Sequence, residues 1–256
     1  EFPEFPQKQD TESFTIPQSA LRSMIDQTLF AISQSDAKPI HTGSLFELED
    51  GIIQVVSVDG YRLALRREHV SSTDSLRFVV PGRTLTEVSR ILDPDSEEEA
   101  ECYVARKHVF FQAGQYEVYS RLLEGDFLDY QAAIPKNGSI RVRVSTREMI
   151  DSVDRVSLLI NDRLKSPLRV KFEKSEILLS CSTALGRASD SFHAENEGEP
   201  IEMGFNNRYL LDALRSTDCD EVILEIAGPL SPMKVLPVDG DSFLFLVLPV
   251  RLRTEG

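Results

Sequence analysis

Several chemistries are ruled out by what this 256-residue chain lacks. It has three cysteines, Cys102, Cys181 and Cys219, odd in number and too far apart for a CxxC pair. That argues against a zinc ribbon or a disulfide framework, and for buried thiols in a reducing compartment. The four histidines, His41, His69, His108 and His193, include no pair at metal-ligand spacing. No glycine-rich phosphate cradle occurs, no apolar run approaches membrane-spanning length, and no signal-peptide pattern opens the chain. Positive charge is also scarce: 28 Lys and Arg against 42 Asp and Glu leave a formal net charge of −14. A protein that grips phosphates over its whole surface needs the opposite balance, so any nucleic-acid contact must be local.

What is present is globular. Hydrophobic residues make up 41% and charged ones 27%, over a length sufficient for two ordinary domains with cores of their own. Glu1-Phe2-Pro3-Glu4-Phe5-Pro6-Gln7 reads as an extended, proline-stiffened lead-in, and the absence of an initiating methionine suggests a fragment. A strand over 13–16 precedes a helix opened by Pro17, whose fixed φ suits a first turn. Leu21, Ile25, Leu29 and Ile32 give that helix one apolar face. Strands are predicted near 45–49, 52–58, 62–66 and 76–80, then a helix over about 83–92 and a solvated acidic loop at 93–99. Strands near 100–105, 108–112 and 116–122 close this half. Asp59-Gly60 joins two of these strands and predicts a tight turn needing positive φ.

The order then repeats. A strand at 140–144 leads to a helix that Ser145-Thr146 with Glu148 can cap and that carries Met149, Val153 and Val156. Strands follow near 168–172, 177–181, 187–192 and 201–205, a helix over about 208–214, and strands near 221–226, 233–237 and 243–248. Met24-Ile25-Asp26 matches Met149-Ile150-Asp151, and Arg83 with Leu85 matches Arg208 with Leu210, both at an offset of 125. Gly114 falls opposite Gly240 at 126. These anchors predict an α+β fold of two tandem copies, 13–134 and 135–256, after a lead-in at 1–12. Each copy is expected to pack two helices on a mainly antiparallel sheet, with the boundary at Ile134-Pro135-Lys136-Asn137-Gly138.

Catalytic constellations are weak. Ser182, Asp190 and His193 can be arranged on paper as a triad, but no nucleophile elbow supports them. The consecutive Glu97, Glu98 and Glu99 cannot converge on one ion from a strand. Neither a metal nor a cofactor is expected. The four predicted helices hold Arg22, Arg83, Arg90, Arg147, Arg155, Arg208 and Arg215 against six carboxylates, a net +1 inside a chain at −14. The acidity therefore lies elsewhere. The plainer reading of each arginine is a helix-surface ion pair.

The stretch Val56-Ser57-Val58-Asp59-Gly60-Tyr61-Arg62-Leu63-Ala64-Leu65 resembles the Asp-Gly-(His/Tyr)-Arg-Leu-Ala segment of the bacterial sliding clamp, the β subunit of DNA polymerase III. Leu248-Pro249-Val250-Arg251-Leu252 resembles that family's Met-Pro-Met-Arg-Leu ending. The resemblance covers nearly the whole chain and matches the family's second and third domains, with Glu1–Gln7 as a linker from a first. It implies a non-catalytic processivity factor of the bacterial cytoplasm, with no membrane partner. Its intact homodimeric ring would encircle duplex DNA and tether the polymerase III catalytic subunit, the clamp loader and other proteins with clamp-binding motifs. It implies a peptide-binding crevice built from His41, Val58, Gly60, Tyr61, Arg62, Leu63, Leu128, Ala133, Leu246, Leu248, Pro249, Val250 and Arg251. The seven helix arginines would face DNA, and Leu158 and Leu159 would lie at the ring joint. Val58, Leu128 and Ala133 stand where the family often has Thr, Pro and larger apolar residues, which bears on peptide preference. Two other classes fit the bare residues: a hydrolase on an acidic α+β scaffold, and a peptide-binding adaptor that never encircles DNA.

Overall fold

The computed structural model describes residues 11–72, 74–160 and 166–252; the lead-in expected at 1–12 lies almost wholly outside them. Two compact units emerge. The first holds the described residues up to Asp59 together with Leu65–Phe127, and the second holds Gly60–Ala64 and the described residues from Leu128 onward.

In the first unit, β1 (Glu12–Pro17) turns directly into α1 (Gln18–Leu29), with Pro17 at the N-cap and extended at ψ 139°. β2 (Gly43–Glu49), β3 (Ile52–Val58), β4 (Arg62–His69, of which the part from Leu65 belongs to this unit) and β5 (Leu76–Pro81) follow, then α2 (Gly82–Ile91), β6 (Glu99–Val104), β7 (His108–Ala113) and β8 (Tyr116–Arg121). The strands form two sheets, ordered β1-β6-β7-β8 and β4-β3-β2-β5. β1 alternates Phe14 and Ile16 inward with polar residues outward, the pattern of a strand buried on one face. α1 packs on α2. Leu21, Met24 and Ile25 of the first and Leu85 and Val88 of the second share a core with Phe46, Val80, Cys102 and Phe111. The helix stops at Leu29, so Ile32 lies beyond the apolar face predicted for it.

The second unit opens with a single turn, α3 (Tyr130–Ala133), then β9 (Ile140–Ser145), α4 (Thr146–Ser157), β10 (Leu168–Phe172), β11 (Glu176–Thr183) and β12 (Gly186–His193). β13 (Glu195–Asn196), β14 (Ile201–Phe205), α5 (Asn207–Arg215), β15 (Glu221–Ile226), β16 (Met233–Pro237) and β17 (Phe243–Val247) complete it. Its sheets run β13-β9-β15-β16-β17 and β12-β11-β10-β14. Setting the two-residue β13 aside, each unit joins its first, sixth, seventh and eighth strands in one sheet. The fourth, third, second and fifth form the other. The duplication legible in the anchors is thus a duplication of strand order. Gly114 and Gly240 occupy the same hairpin in the two copies, with φ of 55° and 74°. Ser145 caps α4 as expected, its hydroxyl accepting the Glu148 N–H at 3.3 Å.

The one sheet expected per copy is two, because period-2 alternation marks a buried face without naming the neighbouring strand. The short α3 and β13 were not anticipated. Asp129 caps α3 by accepting the Ala132 N–H, and one turn is too short to show a helical period. Cys102 and Cys181 are buried and Cys219 is partly so, none of them joined in a disulfide. Burial pushes the Cys102 thiol far above its ordinary range and raises that of Cys181, away from the reactive thiolate. No helix among the described residues is long and apolar enough to cross a membrane.

Candidate functional site

The site begins at a turn. Gly60 sits at φ 92°, a conformation that side-chain-bearing residues rarely adopt, and it delivers Tyr61–Ala64 into the second unit. There the Tyr61 carbonyl accepts the Leu248 N–H at 3.0 Å, seating the segment beside the chain as it leaves β17. The Tyr61 side chain is 61% exposed, and its ring stacks on Tyr209 with centroids 5.8 Å apart. Arg62 is mostly buried. Its guanidinium pairs with Asp212 and lies 4.6 Å over the Tyr209 ring. Tyr209 and Asp212 are three residues apart on α5 and so share one face, which holds this cation by charge and by ring.

Past β17, Leu248 and Pro249 are half-buried and Val250 is exposed. The Val250 N–H donates to the Gly204 carbonyl at 2.8 Å, an isolated antiparallel bridge that fastens the tail to β14. A Cβ at Gly204 would lie 2.6 Å from both the Val250 oxygen and a Leu252 methyl, so the tail's seat requires glycine. Tyr61, Leu248, Pro249 and Val250 thereby converge from remote parts of the sequence, with Arg62 and Tyr209 beside them.

The other expected site residues fall out differently. Leu63 and Leu246 are interior, 2% and 1% exposed, so they hold the site's shape rather than offer surface. Leu128, two residues before α3, and Ala133, the last residue of α3, are exposed, and Arg251 is exposed in the tail. In the first unit, Val58 is buried at the end of β3. His41 is half-buried on a 3-10 turn, its ring edge-on to Phe127 at 5.3 Å. Burial and the nearby Lys38 charge push the His41 imidazole below its ordinary value. Gly204, Tyr209 and Asp212 escaped the sequence reading. A lone glycine inside a strand pattern was a usable signal of close backbone approach; the other two carried none.

The family described as DNA polymerase III beta subunit, central domain, matches residues 15–129, and its C-terminal-domain counterpart matches 131–251. A beta sliding clamp of Bacillus subtilis is 31% identical over 98% of this chain and 68% of its own length. The chain belongs to the bacterial β sliding clamp family. Among solved structures, the DNA polymerase sliding clamp from Bacillus subtilis superimposes with a TM-score of 0.95 at 30% identity, covering 99% of this chain and 68% of that one. A sliding clamp from Pseudomonas aeruginosa bound to griselimycin gives a TM-score of 0.92 at 27% identity, covering 98% and 68%.

Most helix arginines of this clamp chain have carboxylate neighbours. Arg90 meets Glu87 at 2.7 Å, Arg147 meets Asp151 at 3.9 Å, Arg155 meets Asp190 at 2.7 Å and Arg215 meets Asp154 at 2.6 Å. All four arginines are exposed, so these pairs are weak, screened by salt and readily exchanged for another anion. Arg22 has a structural task, donating to the Leu92 carbonyl at the end of α2 at 2.8 Å. The Arg83 side chain is exposed and makes no hydrogen bond or ion pair among the described residues. Arg83, Arg147 and Arg208 each occupy the second residue of their helix, the positive end of its dipole, where a cation is unfavourable. Leu158, just past α4, is 84% exposed and Leu159 is half-buried. The paper triad does not assemble. Ser182 pairs with Arg187 at one end of the β11–β12 hairpin, His193 pairs with Glu176 at the other, and Asp190 is held by Arg155.

Proposed function

We propose that this chain serves as a DNA polymerase processivity clamp of the bacterial cytoplasm, a non-catalytic accessory subunit whose intact ring encircles duplex DNA. The repeats 13–134 and 135–256 are its two clamp domains. The polymerase and other clients dock a short peptide on the surface centred on Tyr61, Leu248, Pro249 and Val250. The observation that carries this reading is the convergence of the Gly60–Ala64 segment, the tail and α5 within one unit. An exposed tyrosine and half-buried aliphatic residues beside a fastened arginine suit a peptide anchored by adjacent Leu and Phe side chains. Burying two such side chains supplies roughly 3–6 kcal/mol, much of which ordering the peptide takes back. The dissociation constant is expected on the order of micromolar, about −8 kcal/mol. Helix arginines whose partners are exchangeable support loose, sequence-independent contact with phosphates. Leu158 and Leu159 support a role at the ring joint.

Calorimetry with a Leu-Phe peptide and its Ala-Ala counterpart tests the docking surface. Binding of the first and not the second is expected; equal binding by both overturns the site. Turnover of an ester or phosphoester by the pure chain would instead favour the hydrolase.

A further inference from the structure

The duplication copies an ion pair but joins it only once. At the offset of 125 that relates the two copies, Arg62 corresponds to Arg187 and Asp212 to Glu87. Arg62 and Asp212 meet in the second unit, where the Gly60–Ala64 segment sits beside the exit of β17. The corresponding pair is not made. Arg187 is exposed at the start of β12, and its guanidinium makes no hydrogen bond or ion pair among the described residues. Glu87 lies on α2 and meets Arg90 at 2.7 Å, both side chains being well exposed, so that pair is weak and readily exchanged.

Each copy nevertheless builds the same surroundings for its half of the pair. Arg62 and Arg187 both follow a glycine at positive φ, Gly60 at 92° and Gly186 at 146°, as the chain enters the fourth strand of its copy. α5 packs on β17 and α2 packs on β8, the eighth strand in each case. The Thr84 hydroxyl of α2 lies 2.7 Å from the Ser120 hydroxyl of β8. Glu87, three residues on, shares that face of α2, as Asp212 shares a face of α5 with Tyr209, the counterpart of Thr84. β8 and β12 each end their sheet, so each presents a row of unpaired N–H and C=O groups. We propose that the β12 edge with Arg187 is an interaction surface for a second copy of this chain, which presents its β8 edge with Glu87. Arg187 of one copy holds Glu87 of the next, as Arg62 holds Asp212 within the second unit. The repeat's own pairing and the opposite charges of the two edges commit the surface to this partner. The contact is head-to-tail, so each copy binds one neighbour at either end. Thr84 stands where Tyr209 supplies a ring, so the contact lacks the cation–π component of its internal counterpart and is the weaker of the two.

Sedimentation of the 256-residue chain over a concentration series at low salt tests this, with circular dichroism confirming that each variant folds. The weight-average mass is expected to rise with concentration. Arg187→Glu and Glu87→Arg should each weaken association on the order of tenfold, because like charges then face each other. Arg141→Glu, on an exposed residue of β9, should leave association unchanged. The decisive arm mixes the two single variants. Alternating copies then place opposite charges at both contacts, so the mixture should associate about as well as the unaltered chain although neither variant does so alone. A chain carrying both reversals should recover association in the same way. An unaltered chain that stays monomeric throughout the series overturns the proposal. So does association that survives both single reversals, or that neither the mixture nor the double variant recovers.

Discussion

Gly204→Ala tests whether the tail's seat builds the docking surface. The added Cβ would lie 2.6 Å from the Val250 carbonyl oxygen and from a Leu252 methyl, so the tail must retreat by several tenths of an ångström or detach. Overpacking of this kind costs about 1–3 kcal/mol, but detachment limits the loss to what docking is worth. That comprises the Val250 N–H to Gly204 bond at 2.8 Å, worth about 1 kcal/mol, and the partial burial of Leu252, worth roughly another. The chain should therefore lose about 2 kcal/mol in urea unfolding. Calorimetry should show the Leu-Phe peptide bound about tenfold more weakly, a change of about 1.4 kcal/mol, because Pro249 and Val250 no longer hold their place. Gly240→Ala is the control: at φ 74° with nothing within 4 Å of an added Cβ, it meets only backbone strain, about 1–2 kcal/mol. It should leave peptide affinity unchanged. A folded Gly204→Ala that binds the peptide as tightly as Gly240→Ala would refute the reasoning.

Leu248→Glu places a carboxylate that a docked peptide must desolvate, and calorimetry should show at least about 2 kcal/mol of lost binding; affinity equal to that of Glu98→Ala would sink the assignment. Arg83→Glu should move two quantities in opposite directions. An acidic residue at the positive end of α2 stabilises by about 0.3–1 kcal/mol, while duplex affinity falls, so a melt and an anisotropy titration that move together would contradict the trade. Burial pushes the Asp190 carboxyl up, but hydrogen bonds from Arg155 and the Ser191 N–H, with the Arg155 charge, outweigh it and hold the group below its ordinary range. Its stabilisation is therefore present above an unfolded value of about 3.9 and lost as pH falls through the lower folded one. Asp190→Asn should flatten the acid limb of the stability curve below about pH 4; urea midpoints at neutral and acid pH that fall as steeply in the variant would count against it.

Local features were legible in the residues alone. Alternation in 140–144 makes a strand with one buried face, and Met149, Val153 and Val156 set the inner side of α4. Gly60, Gly114 and Gly240 stand where the backbone takes positive φ. The matched anchors showed a duplication because the offset between copies is itself a sequence quantity. Only tertiary structure decided which surfaces meet. Arg62 pairs with Asp212, 150 residues away, and stacks on Tyr209, while Gly204 admits a tail that begins more than forty residues later. The division of each copy into two sheets, and the choice of which arginines find carboxylates, were settled in the same way. Hydrophobic periodicity records whether a face is turned inward but carries no label for what it turns toward. The path of the whole chain supplies that partner, through contacts whose sequence separation leaves no local trace.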